Sequence, residues 1–195
     1  MARNKEFDEQ AVLDKAMELF WLQGYERTSI SELVEHMGIH RKSLYDTFTD
    51  KHNLFLRSID RFGEKVNRSL AAGVQQAGTA AEALAFVLDY MICGEQDMPP
   101  GCMLVNTATE LAVRDAEADD KSRAGFLRTE QLLREIVERG QLEGEFSTRF
   151  SVEELARYLH NGLIGFRVLA RTSIPKEQLQ EIARLSVELL KLPEE

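Results

Sequence analysis

The sequence predicts an all-α protein, and three observations carry that prediction. Only four prolines occur in 195 residues, at Pro99, Pro100, Pro175 and Pro193, so long stretches lack the residue that costs a helix interior about 3 kcal/mol. Apolar residues recur at intervals of three and four, as in Val12, Ala16, Leu19, Phe20 and again in Leu155, Leu159, Leu163, Phe166, which lays them along one helical face. Alternating runs of Val, Ile and Thr, the signature of half-buried strands, are absent.

Local chemistry then places about nine helices in order. The first covers 8–23 and stops at Gly24. Ser29-x-x-Glu32 is a capping box and opens 29–36, which stops at Gly38, and a third short helix follows over 40–48. Asp50 opens a long amphipathic helix over 51–76, and Thr79-x-x-Glu82 opens 80–93, which stops at Gly94. A Gly/Pro-punctuated linker through Pro99 and Pro100 leads into 101–114. The next helix, 119–139, is read as stopping at Gly140. Ser151-x-x-Glu154 opens 151–171, and Ser173 with Pro175 opens 175–191, proline being favoured in a first turn. The change from short helices to long ones predicts a boundary near residue 50, dividing a 1–50 domain from a 51–195 domain.

Composition excludes several classes. The hydrophobic fraction is 44% and the charged fraction 29%, which is ordinary globular composition rather than disorder. No apolar run approaches the 18 or so residues of a bilayer span, and the basic residues Arg3 and Lys5 are not followed by the apolar core of a signal peptide, so the chain is expected to be cytoplasmic. Arg3 and Lys5 read as a tail or as an arm that reaches a partner. His36, His40, His52 and His160 form no HExxH or Glu-x-x-His pattern, and no Walker, GxGxxG or GxSxG loop occurs. No metal, cofactor or enzymatic activity is expected.

The segment from Thr28 to Phe48 is a short capped helix, a glycine turn and a second short helix, which is helix-turn-helix spacing. Ile30, Leu33, Val34, Met37, Ile39, Leu44 and Phe48 supply its apolar face and leave Arg41, Lys42, Ser43, Tyr45 and Asp46 outward. The net charge of −9 argues against binding nucleic acid through a broadly basic surface. Between residues 37 and 57, however, four basic side chains face two acidic ones, so the outward patch is basic on an acidic scaffold.

Over residues 8–56 the chain resembles the TetR family of transcriptional regulators. The matching residues are Ala16-x-x-Leu19-Phe20, Gly24-Tyr25, Thr28-Ser29-Ile30, Gly38-Ile39, Ser43-Leu44-Tyr45, Phe48 and Lys51-x-x-Leu54. The resemblance implies a homodimeric, effector-released repressor of palindromic double-stranded DNA operators. It implies phosphate contacts from Thr28 and Ser29, base reading by Arg41, Lys42 and Ser43, and a grip on the backbone by Tyr45 and Lys51. Tyr45 has packing of its ring as a second reading. His40, where a serine or threonine often caps the recognition helix, Asp46 and His52 depart from the pattern. A non-enzymatic α-helical interaction module is the rival function, and substitution of Lys42 and Tyr45 separates the two.

The long helices resemble the family's regulatory and dimerisation region. A ligand pocket is expected among helices four to seven, from Phe62, Phe86, Tyr90, Met91, Met103, Asn106, Thr107 and Phe126. Leu159, Gly162, Leu163 and Phe166 with Ile182, Leu185 and Leu189 read as a dimer interface, the glycines admitting a close helix. Cys102 opens a helix after Pro99-Pro100-Gly101, where the dipole favours a thiolate. It reads as an oxidant or electrophile sensor or as a small buried hydrophobe, and a Cys93–Cys102 disulfide is a further option.

Overall fold

The computed structural model describes residues 7–191 other than Asp97, so the expectations for Arg3, Lys5 and Pro193 fall outside the described residues. Among those residues the chain forms nine α-helices: α1 (Glu9–Gln23), α2 (Ile30–Met37), α3 (Arg41–Phe48), α4 (Lys51–Gln76), α5 (Ala80–Cys93), α6 (Met103–Leu111), α7 (Ala116–Leu142), α8 (Val152–Leu169) and α9 (Lys176–Glu188). Side chains close most of the helix starts. Capping boxes form at Ser29, Thr79 and Ser151, and the carboxylates of Asp8, Asp50 and Asp115 accept first-turn amides of α1, α4 and α7.

Two boundaries differ from the sequence reading. Gly140 does not stop α7; the helix runs to Leu142 and the left-handed glycine is Gly144, at φ 76°. A Cβ at Gly140 would lie 2.2 Å from the ring of Phe146, so this glycine admits an aromatic ring returning from two turns of chain further on. Pro175 stands at the N-cap of α9 rather than inside its first turn.

Two apolar cores result. One joins α1–α3 to the first half of α4 and takes in Cys102, Met103, Leu104 and Val105 of the α6 start. The other joins α5, α7, α8 and α9 around the far half of α4. The α1–α4 pairing is reinforced by ion pairs of Arg57 with Glu9 and of Arg61 and Lys65 with Asp14. The Arg61 guanidinium, at 2.7 Å, holds the Asp14 carboxyl below the usual carboxylate range. The reading head is thereby set rigidly on the long helix.

Candidate nucleic-acid interface and interior cavity

The turn between α2 and α3 follows from one glycine. Gly38 takes the left-handed conformation at φ 70°, ψ 35°, and its amide donates to Val34 and Glu35 while Ile39 donates to Val34, satisfying carbonyls that α2 leaves open. Leu33, Met37, Leu44 and Phe48 are then turned inward and almost wholly buried. Arg41, Lys42, Tyr45 and Asp46 are exposed on the opposite face of α3, and Ser43 is half-buried. The Arg41 guanidinium lies 5.8 Å from the centre of the Tyr45 ring, which settles Tyr45 on the outer face rather than in the core.

The two short helices differ at their N-termini. α2 is closed by Ser29 and by the Glu32 carboxylate, held in its charged form by the hydrogen bonds from Ser29. α3 has His40 at its N-cap with no side-chain bond and no acidic residue in its first turn. Its first-turn amides and positive dipole end therefore stand open beside Arg41 and Lys42, the arrangement that attracts phosphate. The exit of α3 is strained. Thr49 sits at φ 69°, ψ −54°, with the Asp50 amide donating 2.7 Å to Phe48, a tight turn that a β-branched residue adopts only when its surroundings impose it.

Two expected backbone contacts are placed differently from the resemblance. Thr28 is completely buried and its hydroxyl donates 2.6 Å to the Gly24 carbonyl, so this side chain closes the α1–α2 turn instead of facing outward. Lys51 lays its ammonium 4.3 Å from the centre of the Tyr25 ring, and its partial burial lowers its pKa.

A polar joint links this head to the body. The Glu110 carboxylate of α6 accepts the amides of Tyr25 at 3.0 Å and Glu26 at 2.8 Å. Asn106 donates to the Trp21 carbonyl at 3.1 Å, and Arg171 to the Leu22 carbonyl at 3.2 Å. Gly24, at φ 86°, lies so close that a Cβ would stand 2.6 Å from the Glu110 carboxylate. On α4, His52 Nε2 lies 2.8 Å from Asp115 Oδ2, the N-cap of α7. Sequence reasoning missed Glu110 because nothing local distinguishes a carboxylate that caps a turn 85 residues away.

Behind the joint lies a two-lobed cavity between α1, α4, α5, α6, α7 and α8. One lobe of about 390 Å³ is walled by Phe62, Val66, Met91, Cys102, Phe126 and Leu163 among others. The other, of about 300 Å³, is bordered by Trp21, Tyr90, Glu95 and Met98, and Phe62, Val66 and Arg167 line both. Of the expected pocket residues, Phe62, Tyr90, Met91 and Phe126 border it. Phe86 instead lays its ring on Gly73 of α4. Met103 is core, Thr107 is buried with its hydroxyl on the Met103 carbonyl, and Asn106 turns to Trp21. Arg167 and His160 were missed, although a lone arginine in the apolar run Gly162–Ala170 is a legible signal.

Cys102 borders this cavity at 8% exposure. Burial pushes its thiol pKa up, against the opposing pull of Arg167 and the α6 amides. Both cysteines are free, Cys93 being exposed, so the disulfide option is not realised. Burial also holds the His160 imidazole below its ordinary pKa.

The outer faces of α8 and α9 correct the assignment of the apolar stripes. Leu159, Leu163 and Phe166 point into the protomer core, because the α8 face that packs on α5 and α7 is the one carrying the large aliphatic residues. The exposed face of α8 carries Tyr158, Gly162 and Val168, with Gly165 half-exposed, and nothing lies within 4 Å of a Cβ built on either glycine. Ile182, Leu185 and Leu189 of α9 are 44%, 57% and 64% exposed.

A left-handed glycine turn that sets an uncapped, basic α3 outward from a sealed core is a DNA-binding helix-turn-helix, and the helical body with its interior cavity makes the whole a helix-turn-helix regulator. Comparison with known proteins agrees. Residues 12–57 match the model of bacterial regulatory proteins of the tetR family, and residues 81–185 match the tetracyclin repressor-like C-terminal domain. The chain is 34% identical over 192 residues to the HTH-type transcriptional repressor ComR of Escherichia coli (strain K12), covering 96% of this chain and 90% of that one. It is 30% identical to the HTH-type transcriptional regulator YezE of Bacillus subtilis (strain 168), covering 97% and 100%. A cysteine mutant of the TetR family regulator CifR, complexed with a 26-base-pair double-strand operator DNA, is 28% identical and superposes with a TM-score of 0.85 over 95% of this chain and 98% of that one. The chain belongs to the tetR family of bacterial regulatory proteins, a family of transcriptional regulators.

Among the described residues no helix is long and apolar enough to cross a membrane, and no three His, Cys, Asp or Glu side chains are grouped to hold a metal ion.

Proposed function

We propose that the chain is an operator-binding repressor that acts as a homodimer and is released by a small-molecule effector. The observation that carries this reading is the open, basic N-terminal turn of α3, where Arg41 and Lys42 stand exposed on a helix whose amides no side chain caps. Groove-entering helices meet base edges with these first residues. Ser43 completes the reading turn, and Ser29, Tyr45 and Lys51 flank it as backbone contacts. The repressor name of ComR and the operator complex of CifR support the same reading. Thr28 acts in it only as the brace of the α1–α2 turn.

The exposed apolar face of α8 and α9 is the dimer face in this reading. Tyr158, Val168, Ile182, Leu185 and Leu189 supply its area, and Gly162 and Gly165 the close approach that a four-helix bundle needs. Two heads then meet half-sites about 34–36 Å apart, or a multiple of that. An effector in the cavity displaces α4 and α6, and the joint at Glu110 carries that displacement to the head. Release requires the effector to bind the displaced state more tightly. Because burial keeps the Cys102 thiol protonated and slow to react, non-covalent occupancy is the favoured route, with an adduct on Cys102 filling the same space.

Selection of bound duplexes from a random DNA library, with Lys42→Ala as control, tests this function. An enriched inverted repeat that the control loses is the expected result. No enrichment by protein freed of co-purified ligand overturns the reading.

A further inference from the structure

Arg167 is the one charged side chain that is fully buried among the described residues, at 4% exposure. Its Nε donates 3.1 Å to the Met91 sulfur, a weak acceptor, and its guanidinium carbon lies 5.4 Å from the centre of the Tyr90 ring. No carboxylate among the described residues comes within ion-pair distance. Glu95 borders the same cavity, but its Oε1 accepts the Tyr90 hydroxyl at 3.0 Å and the Ser69 hydroxyl at 2.5 Å. A buried guanidinium served only by a thioether and a ring face is under-compensated, and its remaining N–H groups are left to the cavity.

A second donor points the same way. Trp21 borders the lobe that Arg167 also lines, and its Nε1 is buried with no hydrogen-bond partner. Two N–H donors without acceptors thus border one cavity whose other walls include Phe62, Val66, Met98 and Phe126. A guanidinium fork matches a carboxylate through two parallel hydrogen bonds, and an apolar body satisfies the remaining walls. His160 is kept neutral by burial, so the cavity presents one unmatched positive charge.

We propose that the cavity binds a small monoanionic organic acid, its carboxylate on Arg167 within reach of the Trp21 indole and its apolar body against Phe62 and Phe126. This rests on the effector reading above and names the chemical class of the effector.

Calorimetric titration of the full chain with hexanoate, benzoate and 2-naphthoate, each against its primary amide and against inorganic phosphate, tests the inference. The acids are expected to bind at least tenfold more tightly than the amides and than phosphate. Arg167→Gln should erase that preference without weakening the amides, and Arg167→Lys should retain part of it. Should Arg167→Gln not fold, Trp21→Phe removes only the indole donor and should weaken the acids severalfold more than the amides. Acids and amides of equal affinity, no binding of any acid at millimolar concentration, phosphate binding as tightly as the acids, or a preference that survives Arg167→Gln would each overturn it. Operator affinity measured alongside separates the two claims. Arg167-dependent acid binding that leaves operator affinity unchanged sustains the carboxylate site and removes the effector role. Operator release by amides as readily as by acids does the reverse.

Discussion

The head and the body meet the demands of burial in different ways. In the head, Leu33, Leu44 and Phe48 are sealed, and the one buried polar side chain, Thr28, has its hydroxyl on the Gly24 carbonyl. In the body, a guanidinium without counter-charge and an indole N–H without acceptor border empty space. A sealed region has one good arrangement and makes a dependable reading surface. A region with unmet polar groups has a second arrangement available whenever a matching molecule arrives, so change in this protein enters through the body.

Truncation in the two cores gives the largest expected effect. Leu44→Ala in the head should cost about 3–5 kcal/mol, because no neighbour can move into the void, while Leu163→Ala should cost less, since Leu163 already borders a cavity and forfeits fewer contacts. Chemical denaturation of both variants checks the order, and a larger loss at Leu163 would break the contrast. Next, Lys42→Ala and Tyr45→Ala should each weaken operator binding by about tenfold to a hundredfold at fixed salt while leaving stability within about 0.5 kcal/mol. Equal loss of stability and affinity would mean that these side chains hold the head together.

The joint tests whether the two regions communicate. Glu110→Gln leaves a weaker acceptor for two amides and should cost about 1–2 kcal/mol. Hydrogen exchange at the Tyr25 and Glu26 amides should accelerate selectively, and unchanged exchange there would remove Glu110 from the coupling. The smallest effect is electrostatic. Burial depresses the His160 pKa below its model value of 6.5, so as pH falls through about 6.5 the unfolded chain takes up a proton that the folded chain refuses. Stability should therefore decline with falling pH below about 6.5, and His160→Gln should remove that part of the slope in thermal melts run between pH 7.5 and 5.

The same division governs what could be read in the sequence. Helix ends were legible wherever one capping residue or one left-handed glycine decides them, as at Ser29, Gly38, Thr79 and Ser151. Gly140 misled because its partner, Phe146, arrives through a turn whose geometry no local pattern states. Periodicity identified the apolar stripes of α8 and α9 but not which stripe of α8 faces inward, so Leu159, Leu163 and Phe166 were assigned outward. The cavity suffered similarly. Phe86, Met103, Asn106 and Thr107 are of suitable types, but the rotation of each helix about its own axis turned them to Gly73, the core, Trp21 and a backbone carbonyl.

The joint at Glu110 has a consequence for modularity. Glu110, Asn106 and Arg171 address the amides of Tyr25 and Glu26 and the carbonyls of Trp21 and Leu22, and every one of those four groups belongs to the main chain. Any sequence at these positions would offer the same hydrogen-bonding surface, provided a glycine stands at 24. A head with a different reading helix can therefore be grafted onto this body without redesigning the polar side of the socket, which leaves the choice of DNA sequence and the choice of signal free to vary independently.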